Sequence, residues 1–214
     1  MEHKPAAIGI AIGGAVGIVA TTVPEIREEI LRIVADLTGW GDPKKVLTKI
    51  KTNFGDLINK WSTSNNVPKS IIGAVIAYES GGDPNVGRHE PSGTRCSGMA
   101  CVVQPGDTGV SYGLMQIMNW HYTGDPRDLL KPDLNIQKGT SILAANFKKY
   151  SEWHLAVAAY NCGPGGVDNA VKKAGTSDWQ ALVEKKALPS DTIHYLRRLF
   201  GKGGIYYASK EIFG

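Results

Sequence analysis

Glu79 closes the apolar run Ile71-Ile72-Gly73-Ala74-Val75-Ile76-Ala77-Tyr78 and is followed by Ser80 and the pair Gly81-Gly82. A carboxylate at that point meets an apolar wall and the negative end of a helix dipole, and both disfavour its charged form. Such a group can deliver a proton near neutral pH. The plain alternative is a helix-end glutamate in water. Two later stretches supply company for it. In Ser111-Tyr112-Gly113-Leu114-Met115-Gln116-Ile117 a glycine lets the backbone approach a ligand, and Gln116 offers both an amide donor and an acceptor. In Leu155 to Val167, Tyr160 and Asn161 stand just before Gly163-Pro164-Gly165. Each has an ordinary explanation taken singly: Met115 as core filler, Tyr160 as a half-buried aromatic, the Gly-Pro-Gly as a turn. Together and in order they are specific.

The elements that position these residues read as helices. Pro68 starts one that carries Ile71, Ile72, Val75 and Ile76 inward, places Glu79 on its last turn and breaks at Gly81-Gly82. Asp42-Pro43 opens another, with Val46, Leu47, Ile50, Phe54, Leu57 and Trp61 as its stripe. Pro24 opens a third over Ile26, Ile30, Ile33, Val34 and Leu37, stopped by Gly39. These last two form either a connecting unit or part of the main core.

The motif set resembles the lysozyme-like lytic transglycosylases of the soluble-lytic (SLT) type. Glu79-Ser80 is similar to that family's first motif, Gly113-Leu114-Met115-Gln116 to its second, and Ala159-Tyr160-Asn161 with Gly163-Pro164-Gly165 to its third. Asp128 to Leu143 matches the linking helix region, and Tyr195 falls where the family has a cleft tyrosine. The resemblance covers about Pro68 to Phe200 and leaves the first sixty-odd residues uncovered. It implies cleavage of peptidoglycan between N-acetylmuramic acid and N-acetylglucosamine, with Glu79 as the catalytic acid. Ser80, Ser111, Tyr112, Met115, Gln116, Tyr160, Asn161 and Tyr195 are then the substrate-binding candidates, Tyr112 either stacking in the cleft or packing. The implied chemistry needs no metal or organic cofactor. It ends in 1,6-anhydromuramic acid, because the muramic 6-hydroxyl rather than water attacks the anomeric carbon.

Most glycosidases use two carboxylates, and only one stands at a motif position here. Asp83 follows Glu79 by four residues, but Gly81, Gly82 and Pro84 break the helix around it. The stretch from Asn85 to Val110 is longer than a plain connection between the first two motifs. It is either a lid or a solvent-exposed insertion, and its Glu90 or Asp107 is a candidate second carboxylate for a hydrolytic muramidase. That hydrolase is one alternative. Others are a structural virion or secretion component with a glycan-binding domain, and an enzyme that cuts another aminosugar polymer such as chitin.

Composition sets the remaining bounds. The chain has 214 residues and a formal charge of +4, enough for one sizeable core plus an appendage and too mild a charge to announce nucleic acid. His89, His121, His154 and His194 are scattered and no HExxH occurs, which excludes a zinc-protease pattern. Cys96 and Cys101 are either bridged in a small loop or two free thiols. From Pro5 to Val23 no charge appears, and Gly9, Gly13 and Gly17 recur at every fourth position. Such a segment suits a membrane anchor or inserting segment, a signal peptide, or a buried helix of an assembly.

The expectation is thus a mainly α protein. A Gly/Ala-rich hydrophobic segment spans 1–23, connecting amphipathic helices 24–61 and a lysozyme-like domain 62–214. Its expected partners are peptidoglycan strands, a membrane through residues 5–23, and a phage particle or secretion machinery, with no nucleic acid. The expected location is extracytoplasmic, in the cell envelope, or alternatively in a phage virion.

Overall fold

The structure is a computed structural model that describes residues 42–214. The hydrophobic segment 5–23 and the helix expected from Pro24 lie outside the described residues. Those described form one compact unit. They build seven α-helices: α1 Pro43–Asn65, α2 Lys69–Ser80, α3 Pro132–Tyr150, α4 Trp153–Ala174, α5 Trp179–Glu184, α6 Ser190–Phe200 and α7 Ile205–Phe213.

Asp42 caps α1 by accepting the Lys44 N–H at 2.9 Å, with Pro43 in the first turn. Its fully buried residues are Leu47, Ile50 and Ile58. Ile58, rather than Leu57 or Trp61, completes the buried stripe. Trp61 instead sits half-buried at the rim, where its indole N–H donates to Asp133 of α3 at 2.7 Å. Helix α1 packs on α2, α3 and α7, so of the two readings it belongs to the main core. The compact unit therefore begins ahead of residue 62.

Helix α2 is the apolar axis of the molecule, with every residue from Ser70 to Ala77 buried. Pro68 stands at its N-cap, and Gly81 ends it in the left-handed region at φ 63°, with its N–H on the Ala77 carbonyl at 3.2 Å. The chain leaves the helix hard against α1, where a side chain at Gly82 would sit 2.8 Å from Ile50.

Residues 85–110, expected as a lid or an exposed insertion, are mostly exposed between 91 and 107 and supply much of a small antiparallel sheet. Its strands are β1 Val86–Glu90, β2 Arg95–Ser97, β3 Gly109–Tyr112 and β4 Ile117–Met118, in the order β2-β1-β3-β4. A disulfide joins Cys96 to Cys101. Strands of two to five residues, interrupted by Gly and Pro, are too short for a period of two to show in the sequence. Helix α4 breaks at Gly163 (φ 76°, ψ 157°), just ahead of Pro164, and its first half ends on Tyr160 and Asn161. Among the described residues no helix is long and apolar enough to cross a membrane.

Candidate active site

Glu79 lies on the last turn of α2, half-buried, with Tyr78 before it and the sheet ahead of it. Burial pushes its carboxyl up from 4.5 to about 7. Tyr195 and Arg88 oppose that rise, and the charge of Glu90 adds to it. Three tyrosines gather round the acid. The Tyr195 hydroxyl is fully buried, meets no partner at full hydrogen-bond geometry among the described residues and lies within reach of the Glu79 carboxyl. The Tyr78 ring meets the Tyr195 ring edge to face at 4.5 Å. Burial, and then the charge of Glu79, raise the Tyr160 hydroxyl well above the usual range. Phenols this hard to ionise remain O–H donors at any working pH.

The loop Gly113–Gln116 is fixed opposite this cluster by residues from all three motifs. Ser80 donates to the Leu114 carbonyl at 2.8 Å, and Tyr160 donates to the Met115 carbonyl at 2.7 Å. Gly113 turns the chain at φ 72°, and Gln116 follows at φ 48°, a costly value for a side-chain-bearing residue. The Gln116 side chain stabilises that turn. Its amide donates to the Gly113 carbonyl at 2.8 Å and the Val86 carbonyl at 3.1 Å, and it accepts from Ser111 at 2.8 Å. Met115 is fully buried and seats against Gly139 of α3, where any side chain would collide with its sulfur at 2.3 Å.

Of the eight substrate-binding candidates, the structure brings Tyr160 and Tyr195 to the acid's surroundings and spends others, Gln116 among them, on the scaffold. Tyr112 packs: it is 1% exposed and its hydroxyl donates to the Cys101 carbonyl at 2.9 Å. Ser80, Ser111 and Met115 face backbone or core partners. Asn161 is exposed, and its Oδ1 accepts from Thr192 at 2.7 Å, which leaves its amide N–H groups for a ligand.

Three contributors escape sequence reading. Asn135 of α3, 0% exposed, takes the Met115 N–H on Oδ1 and donates to the Tyr112 and Leu129 carbonyls, all at 2.7 Å. Thr192 orients Asn161. Arg88 of β1 acts on Glu79 through its charge. Only pairings across long sequence separations reveal the first two.

The candidate second carboxylates are both engaged. Asp107 meets His89 Nδ1 at 2.6 Å and accepts the Gln104 N–H at 2.7 Å, contacts that hold its carboxyl below the usual range. Glu90 pairs with Arg88 at 2.8 Å. A depression of about 360 Å³ lined by Ser62, Pro68, Phe147 and Trp153 lies at the other end of α2. That is about 16 Å from Glu79 along the helix and too far to serve it.

Comparisons with known proteins agree with this geometry. The family model described as "Transglycosylase SLT domain" matches residues 56–183, more than half of the chain. The soluble lytic murein transglycosylase of Escherichia coli (strain K12) is 29% identical over 156 residues, 72% of this chain and 23% of that protein. Its Salmonella typhimurium (strain LT2) counterpart is 30% identical over the same length. The membrane-bound lytic murein transglycosylase D of Escherichia coli (strain K12) is 29% identical over 150 residues, 68% of this chain and 30% of that protein. The chain thus spans less than a third of the relatives it matches. In fold, it is similar to the 70-kDa soluble lytic transglycosylase solved in complex with bulgecin A. The TM-score is 0.57 at 23% identity, over 87% of this chain and 29% of that one. The helices, the interlocked motifs and the matched span lead to one assignment: the chain belongs to the SLT transglycosylase domain family.

Proposed function

We propose that the chain cuts the β-1,4 bond between N-acetylmuramic acid and N-acetylglucosamine in peptidoglycan and leaves 1,6-anhydromuramic acid ends. One observation carries this reading: a single carboxyl, Glu79, pushed up to about 7, faces donors while Asp107 and Glu90 are paired elsewhere. Protonated Glu79 gives its proton to the glycosidic oxygen as the C–O bond breaks. The substrate's own acetamido group assists departure. The muramic 6-hydroxyl then attacks the anomeric carbon and returns its proton to Glu79, so no water is consumed.

The Asn161 amide supplies hydrogen bonds to the sugars and their acetamido groups, and the buried Tyr195 hydroxyl serves the Glu79 carboxyl. Ser80, Ser111, Met115, Gln116 and the Tyr160 hydroxyl hold the cleft wall, and Tyr112 packs behind it. Positioning of this kind is a large share of catalytic power. The site of action is the cell envelope, where murein lies, whether the chain belongs to a bacterial wall or travels with a phage particle.

A hydrolytic muramidase is the second reading, favoured by one fact: Glu90 is close enough for its charge to raise Glu79. Glu90→Gln separates the two. A single-acid enzyme keeps turning over, and its alkaline limb, set by loss of the Glu79 proton near pH 7, moves to lower pH because a negative neighbour has gone. The check is kcat/KM against pH on purified murein. Loss of cleavage by a folded Glu90→Gln protein would overturn the single-acid reading in favour of the hydrolase.

A further inference from the structure

Trp120 is 57% exposed, large and apolar, and the chemistry described so far does not use it. It lies in the short turn Asn119–His121 that follows β4. The register of the sheet decides which way it serves. Antiparallel partners share a face, and alternate residues along a strand take opposite faces. Glu90 pairs with Gly109, and Arg88 pairs with Ser111. Arg88, Glu90, Gly109 and Ser111 therefore mark one face, and His89, Val110 and Tyr112 mark the other. The first face carries Arg88 and Glu90, whose charges both reach the Glu79 carboxyl.

Trp120 covers that same face. A Cβ at Gly109 would stand 2.3 Å from Trp120 Cζ3 and 2.9 Å from the Met118 methyl, so the indole lies on the bare backbone of Gly109. Cross-strand neighbours lie about 5 Å apart, which puts the ring beside Glu90, the partner of Gly109 and the ion-pair partner of Arg88. The turn beneath it is fixed, because Asn119 Oδ1 accepts the Val110 N–H at 3.0 Å. One side of the indole is propped on the sheet, and more than half of the residue stays open to solvent.

An open aromatic ring propped on one side beside the Arg88–Glu90 pair suits the apolar C–H face of a pyranose ring, with those charged groups reaching its hydroxyls. We infer that Trp120, seated on Gly109, forms an outer sugar subsite that binds the glycan strand beyond the scissile bond, with Arg88 and Glu90 bridging it to the acid. The inference rests on the glycan-cleaving reading above. The subsite adds affinity for long strands and nothing for a ligand too short to reach it.

The test uses the full chain carrying Glu79→Gln, which holds substrate without turning it over. Binding of a peptide-free murein disaccharide and octasaccharide is followed by tryptophan emission and calorimetry, with and without Trp120→Ala and Trp120→Phe. In the Trp120→Ala protein the affinity gained from disaccharide to octasaccharide shrinks about tenfold, equivalent to about 1.4 kcal/mol, and Trp120→Phe restores most of it. In the otherwise unaltered enzyme Trp120→Ala raises KM on long strands more than it lowers kcat, as loss of uniform binding requires. If Glu79→Gln binds the octasaccharide and Trp120→Ala binds it equally well, the subsite is wrong and the enzyme reading stands. If Glu79→Gln still cleaves, or binds neither sugar, the enzyme reading falls and takes the subsite with it.

Discussion

Glu79→Gln abolishes glycan cleavage, lowering kcat by about 10³-fold, in the range that removal of a general acid produces. The amide keeps the shape of the side chain beside Tyr195 and Tyr160 but has no proton to deliver at the leaving oxygen. The same substitution leaves a signature in stability that a merely structural residue would not. A carboxyl whose pKa rises on folding, from 4.5 to about 7, binds a proton in the native state that the unfolded chain has released. The native protein therefore loses stability as pH rises from about 4.5 through 7, and the penalty is constant above that. Glu79→Gln carries no such titration. Thermal melting across that window shows the variant matching the parent in acid and exceeding it at alkaline pH. A variant that retained cleavage, or one whose melting tracked the parent at every pH, would show that Glu79 is neither the acid nor buried in the way the geometry requires.

Asn135→Ala is the most damaging change outside the acid. It deprives the Met115 N–H and the Tyr112 and Leu129 carbonyls of their partners at once. Buried groups left unpaired cost about 1–3 kcal/mol each, and with partial relaxation the sum is about 3 kcal/mol, a large share of an ordinary domain's stability. The melting temperature falls by about 10 °C. Activity falls further than the fraction of folded protein explains, because Met115 also carries the Tyr160 hydroxyl bond on its carbonyl. Asn135→Asp keeps the acceptor for Met115 but sets a buried carboxyl against the Tyr112 and Leu129 carbonyls, and is at least as damaging as the alanine at neutral pH. Melting of Asn135→Ala close to the parent, with kcat intact, would mean that the loop holds itself up without α3.

The helices and the place of Glu79 were legible because their signals are local. Pro68 and Gly81 bracket α2, the run between them is apolar throughout, and Glu79 can only fall on its last turn. Asp42 announces the start of α1 in the same way. Where partners lie far apart in sequence, legibility ends. Ser80 and Tyr160 carry motif positions that suggest contact with sugar, yet their hydroxyls bond the Leu114 and Met115 carbonyls, 34 and 45 residues away. A motif reports which side-chain types are needed, and the fold decides what each one touches. Asn135 and Thr192 are ordinary polar residues on helices until α3 meets the Met115 loop and α6 meets Asn161. The sheet was hidden for a different reason. Its strands draw their order from pairing with one another and from the Cys96–Cys101 bridge, and their own β-propensity contributes little.

The central claim, that one acid breaks the glycan without water, is tested most directly by mass spectrometry of the fragments that the intact protein releases from purified peptidoglycan, with Glu79→Gln beside it. The account predicts fragments ending in 1,6-anhydromuramic acid, each lighter by one water than its hydrolytic counterpart, and none from the variant. Reducing-end fragments from the parent would contradict it and make Glu90 the partner carboxylate of a hydrolase.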